Sequence, residues 1–227
     1  MATSLGIDVG GTRKGYDLVL LDDTRAVLQT QRHVALGALR GHIDAWRPDV
    51  VCIDSPPAWA IDAPRKTEAY VLALGLSLYR TPWAEAARAN AFYAWMLSGF
   101  EAFAAARDAG YAMYDGGVSV QNRMLEVFPH AIASVLHGAR RPSDLRKHPW
   151  RREALTPAGV DVAALKGNDQ VDAALCALAG LYALEDRFCW AGDPSEGVIV
   201  LPCLASDLAA RVPWASKRGL AMMTSFR

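Results

Sequence analysis

Three apolar runs joined by tight turns open the chain and restrict what it can become. "SLGIDV" ends in Gly10-Gly11 and reads as a buried strand entering a turn. "GYDLVLLDD" and "AVLQTQRHV" follow, with "DDT" as the turn between them. Strands linked this closely form an antiparallel meander. "LGALRGHIDAW" then shows helical spacing at Leu36, Leu39, Ile43 and Trp46, and Pro48 ends it. "DVVCID" is a continuous apolar run, as expected of a strand buried on both faces of a parallel sheet. Arriving by a helical crossover, this fourth strand runs parallel to a strand of the meander, most naturally the first. Asp8 ends the first strand and Asp54 ends the fourth. Parallel neighbours end at one edge of the sheet, where open α/β sheets place their sites. An Asp before Gly-Gly or before Ser-Pro-Pro also caps a turn, which is the plainer reading of each alone.

The remainder alternates in the same manner. "SPPAWAIDAPRKTE" is a Pro-rich loop, and residues 84–109 read as one long helix ended by Gly110. The aromatic residues of that helix (Phe92, Tyr93, Trp95, Phe100, Phe103) follow a helical face and are expected mostly in the core. "NRMLEVFP" is a short strand in which Glu126 is the charged residue; on an edge strand it would point to solvent. "HAIASVLHG" is a helix with a Gly stop, and "EGVIVLP" a further strand. The expected fold is α/β, with a mixed central sheet of about five strands, three antiparallel and then parallel, flanked by helices. The chain reads as a single domain, 1–227, with helical or basic insertions around 65–110 and 138–166.

The 227 residues are 52% hydrophobic, enough for one large core. Twenty-four basic side chains balance 24 acidic ones, so bulk charge gives nucleic-acid binding no support. Cys52, Cys176, Cys189 and Cys203 form no Cys-x-x-Cys and are expected as reduced core residues. No basic-then-apolar leader opens the sequence, and no run approaches the roughly 18 apolar residues of a membrane span. A cytoplasmic protein without membrane association is expected.

The helix within "KGNDQVDAALCALAGLYALE" is apolar, yet Asp169 and Asp172 sit at its start, three residues apart and so on nearly one face. Asn168 as N-cap and the helix dipole account for Asp169 and less well for Asp172. With Asp8 and Asp54, and with Glu126 as a fifth acid, the chain offers carboxylates that would repel one another if gathered without a cation. Hard oxygen donors without a His or Cys ligand pattern suit Mg²⁺ or Mn²⁺ better than zinc. Two such ions about 4 Å apart stabilise both the attacking and the leaving oxygen in phosphoryl transfer. His130 reads as a loop or helix-start histidine, since Pro129 precludes helical pairing with Glu126.

"RRPSDLRKHPWRR" carries six Arg or Lys in thirteen residues. Arg146, Lys147 and Trp150 make it either a phosphate-contacting arm with an aromatic for base stacking, or a solvated surface. Trp59 and Trp83 flank prolines and either stack on a base or cover the core edge.

Taken together, "GIDVGGTRKG", "CIDSPPAWA", "RKTE", "LEVFPHAI", "NDQVDAALCAL" and "DPSEGVIVLP" are similar, in that order, to a domain-of-unknown-function family described as predicted RNase H-like nucleases. The first strands resemble the RNase H-like fold, and "DQVDAALCAL" resembles the closing motif of the Holliday-junction resolvase RuvC group. The resemblance implies metal-binding roles for Asp8, Asp54 and Asp172, with Asp169 beside them, and an acidic strand position at Glu126. It matches Arg65 and Glu68 to a charged pair that holds the loop or contacts substrate phosphate. It implies a two-metal nuclease acting on DNA, RNA or a smaller phosphoester and leaving a 5′ phosphate. Two other readings stay open. "GIDVGGTRKG" also resembles the first phosphate loop of sugar kinases, with Lys14 in reach of phosphate, although no second loop of that type follows. A non-catalytic RNase H-like binding module is the third.

Overall fold

The structure is a computed structural model that describes residues 1–61, 64–203, 212–221 and 223–225. Strands β1 (Thr3–Val9), β2 (Tyr16–Asp22) and β3 (Val27–Val34) form the expected antiparallel meander. Helix α1 (Leu39–Trp46) carries the chain across to β4 (Val50–Asp54), which lies parallel to β1. Helices α2 (Lys66–Ala73), α3 (Ala84–Arg88) and α4 (Ala94–Asp108) follow, then the short strand β5 (Ala112–Met113) and β6 (Arg123–Val127), parallel to β4. Helices α5 (Pro129–His137), α6 (Lys147–Leu155) and α7 (Asn168–Leu184) precede the hairpin β7 (Phe188–Asp193) and β8 (Gly197–Pro202). A short helix, Lys217–Ala221, and β9 (Met223–Ser225) close the described chain.

The sheet order is β3-β2-β1-β4-β6-β8-β7-β9, with β5 also on β6. The α/β fold with a mixed sheet is therefore as expected, and the first four strands take the arrangement the RNase H-like resemblance implies. The count differs: nine strands are described rather than about five, because β8 pairs with β6 and brings β7 and β9 with it. The strand of Glu126 is thus interior, not an edge.

Alternation divides two cores. Leu5, Ile7, Leu18, Val51, Ile53 and Met124 pack toward α1 and α4, while Val19, Val50, Cys52 and Leu125 face the side of α7. The four cysteines are free and buried. The 84–109 region breaks at Asn90, whose side chain accepts from the Phe92 amide and starts a new helical turn. Phe103 is buried, but Phe92 is exposed and Tyr93 and Trp95 half-buried, so the aromatic residues do not form one core stripe. The basic segment folds as α6 because Pro149 falls in its first turn, where a proline is tolerated. Trp150, Ala154 and Leu155 are buried with the α7-side core.

Helix α7 lies directly on β1. A Cβ added at Gly6 would stand 1.8 Å from the Ala173 carbonyl oxygen and 2.5 Å from the Ala177 nitrogen. At Gly180 it would meet Ser4 Oγ at 2.2 Å and Cys52 Sγ at 2.5 Å. Gly6→Ala should force these backbones apart and lower stability by about 1–3 kcal/mol or more, measured by urea denaturation.

Candidate metal and phosphate site

Asp8 and Asp54 are register partners across the β1–β4 pair. They share a sheet face with Gly6 and Cys52, the face that α7 covers. Asp172 lies next to Ala173, the residue against Gly6, so the contact between helix and strand delivers its carboxylate to the same sheet edge. Asp8, Asp54, Asp169 and Asp172 all line one cleft of about 720 Å³. Among the described residues, none forms a hydrogen bond or ion pair with the carboxylate of Asp8 or Asp54, both of which lie in the strand ladder. Burial, reinforced by Asp172 and Asp54, pushes the Asp8 carboxyl well above the usual range. Burial and then Asp172 raise Asp54 to about 7.

The other two acids are paired. Asp172 is buried, and its Oδ2 accepts from Arg151 Nη1, while Oδ1 is buried with no partner. Asp169 lies 2.5 Å from Lys14 Nζ. Burial alone would lower Lys14, but the Asp169 hydrogen bond and charge leave it raised. Asn168 does not cap α7: the helix starts at Asn168 after Gly167, and Gln170 Oε1 accepts from the Lys166 amide instead.

The donor set fits a hard divalent cation. It is all oxygen, two members are unpaired carboxylates, and Asp172 Oδ1 is a buried acceptor without a donor. As the side chains stand, no group of three or more ligating residues among those described is close enough to hold an ion. Arg151 and Lys14 supply the positive charge meanwhile, which draws Asp172 and Asp169 toward them.

Glu126 does not join the four aspartates. It is in register with Ile53, so alternation sends it to the opposite side of the sheet from Asp54. At its strand's end it still borders the cleft, but Arg65 Nη1 and Nη2 donate to its two oxygens at 2.8 and 2.5 Å. Both are buried, as is Glu68, 3.7 Å from Arg65 and accepting from the Thr81 amide at 2.9 Å and from the Thr81 hydroxyl. Of the two readings for Arg65 and Glu68, holding the loop is the one this geometry fits. Trp150 is also misplaced for a base: it is 4% exposed and stacks on His137 at 4.5 Å. Arg146 is exposed at the N-terminus of α6, and neither it nor Trp150 lines the cleft. Trp59 packs on Phe100 at a separate cavity, and half-exposed Trp83 lies outside the acid cleft. Lys147 does line the acid cleft.

Sequence reasoning missed Arg151, Arg141, His130 and His148, which share that lining. Lys147 and Arg151 are four residues apart, so a helical reading of "KHPWRREAL" would have put both on one face. Burial, then the charges of Arg151, Lys147 and Arg141, lowers His130 to about 4 and keeps it neutral at pH 7. It also missed Asp17, the register partner of Asp8 on β2, which is buried 3.5 Å from Arg32. In the Gly10–Gly15 turn the Gly10, Lys14 and Gly15 amides donate to carbonyls within the turn.

Paired carboxylates at the edge of a mixed α/β sheet, covered by an acid-bearing helix and flanked by cations, make a candidate metal and phosphate site. The chain belongs to the family described as Protein of unknown function (DUF429), whose model matches residues 6–196. Among solved structures, "T. thermophilus RuvC in complex with Holliday junction substrate" is similar at 18% identity and a TM-score of 0.44, over 81% of this chain and 95% of that one. "Thermus thermophilus RuvC structure" is similar at 16% identity and 0.43, over 81% and 96%. No curated protein matches the chain. No helix among the described residues is long and apolar enough to cross a membrane.

Two outcomes follow from the buried charges. Arg65→Met strands two buried carboxylates and should lower stability by about 3–5 kcal/mol in urea denaturation. Asp54 has a folded pKa of about 7 against 3.8 for the free side chain, so the folded state holds the proton more tightly. Unfolding then releases protons, and stability falls as pH rises from about 4 to 7. Asp54→Asn removes this penalty. Its melting temperature should exceed that of wild type above pH 7, with the gap closing toward pH 4.

Proposed function

We propose that the protein is a divalent-metal-dependent nuclease that hydrolyses phosphodiester bonds of nucleic acid. The observation that carries this reading is the Asp8–Asp54 pair, side by side at the ends of parallel strands, raised in pKa despite Lys14, Arg151 and Lys147 nearby. Asp8, Asp54 and Asp172 would hold the metal, with Asp169 adjacent. Mg²⁺ or Mn²⁺ bound there supplies neutralisation of the acids and stabilisation of the attacking and leaving oxygens.

The chain's own residues do the rest. Lys14, Lys147 and Arg141 line the same cleft and offer positive charge to the phosphate oxygens. Neutral His130 leaves the charge of that wall to the lysine and arginines. Arg65, Glu126, Glu68 and Thr81 brace the loop beside the acids, so that the carboxylates are presented on a rigid frame. Water attacks phosphorus, the bond to the 3′ oxygen breaks, and a 5′ phosphate remains. Phosphotransfer from the Gly10–Gly15 loop fits less well, because no second phosphate loop of that type follows it in the chain. A binding module without catalysis does not account for two unpaired acids at a strand edge.

Asp8→Asn should reduce Mg²⁺- or Mn²⁺-dependent cleavage of labelled oligonucleotides about a hundredfold or more, with an unchanged far-ultraviolet circular dichroism spectrum. Cleavage at the wild-type rate by the folded variant would remove Asp8 from the site.

A further inference from the structure

The cleft has an aromatic side that the hydrolysis reading does not use. Tyr79 and Phe92 are 69% and 48% exposed, yet they meet edge to face at 5.0 Å and both line the cleft that holds the acids. Trp95 lines it too, and it packs beside the turn that follows Asp8: a Cβ at Gly11 would lie 3.4 Å from that of Trp95. Large aromatic faces left in water next to a polar cleft mark a binding surface, since burying them elsewhere would be favourable.

The α6 side of the same cleft is cationic. Lys147, Arg141 and Arg151 line it, with His130 and His148. Arg151 Nε, His130 Nδ1 and His148 Nδ1 are buried there with no hydrogen-bond partner among the described residues. Unpartnered buried groups of this kind are costly unless a ligand supplies the missing atoms. One cleft therefore joins flat apolar faces to positive charge, with carboxylates on its floor.

We infer that the cleft takes a single-stranded nucleic acid, with an unpaired base stacked on the Tyr79–Phe92–Trp95 ledge and its phosphate on the α6 cations. This rests on the reading of the acids as a phosphoester site and names the substrate class for it. A duplex keeps its bases stacked inside and has no free face to offer such a ledge, whereas every unpaired base has one. DNA and RNA share this chemistry and are separate arms of the test.

The test is fluorescence anisotropy with labelled single-stranded DNA, single-stranded RNA and duplex DNA of one sequence, using the full chain in EDTA so that nothing is cleaved. Single strands of at least one kind should bind ten times more tightly than duplex or better. Phe92→Ala and Tyr79→Ala should each weaken that binding roughly five- to hundredfold, and Lys147→Ala should make it less sensitive to salt. Both aromatic side chains are exposed, so the variants should melt with wild type, which separates lost binding from lost folding. Equal or tighter duplex binding, or variants that bind as wild type does, would overturn the inference. Adding Mn²⁺ then separates the two readings. Single-strand binding without cleavage defeats the hydrolysis reading and leaves this one, while cleavage of duplex without single-strand preference does the reverse.

Discussion

Everything at the site depends on the close approach of α7 to β1. Gly6 and Gly180 have no side chain because there is no room for one: the helix backbone rests on the strand, and Ser4, Val50 and Cys52 fill the space beside Gly180. A larger residue at either position would lift the helix by more than its own contacts could repay. The same approach decides where Asp172 goes. With Ala173 against Gly6, its neighbour must sit over the end of β1, beside Asp8 and across from Asp54. Packing, rather than any attraction among the acids, gathers the carboxylates, and the raised pKa values of Asp8 and Asp54 follow from it.

That gathering is energetically awkward, and the molecule divides the burden between two kinds of neighbour. Arg151 and Lys14 each pair with one aspartate and act on Asp54 and Asp8 only through their charge. Arg65 is different in kind. It is buried between Glu126 and Glu68, well bonded to Glu126, and holds the segment before α2 against β6. The first pair can exchange partners when charge enters the cleft, because Lys14 is exposed and Arg151 keeps an unbonded Nε. The second cannot do so without exposing buried carboxylates to a medium that does not solvate them.

Much of this was legible in the sequence, for reasons that are themselves physical. Two tight turns leave a meander little choice, and the crossover helix then makes β4 a parallel neighbour of β1, so the adjacency of Asp8 and Asp54 could be read from the sequence. Asp172 stood out because a first-turn role did not explain it. Glu126 could not be read in the same way. Its direction depends on its strand's register, and its burial on β8, whose pairing with β6 joins segments more than seventy residues apart. The α6 segment read as either a phosphate-contacting arm or a solvated surface, because prolines and charges dominate its composition. Its helical spacing nevertheless buries Trp150 and turns Lys147 and Arg151 toward the acids. The aromatic ledge was hidden by periodicity: a break at Asn90 takes Phe92 out of the helical face on which its spacing had placed it.

The central claim is that Asp8, Asp54 and Asp172 form a divalent-cation site. The most direct measurement is titration calorimetry of Mn²⁺ into wild-type protein and into a folded Asp8→Asn variant, each in the presence of a non-cleavable phosphorothioate oligonucleotide to complete the cleft. The account predicts saturable binding to wild type that weakens at least tenfold in the variant. Equal binding by the two proteins, or none by wild type with oligonucleotide present, would contradict it and return the aspartates of α7 to the chemistry of a helix start.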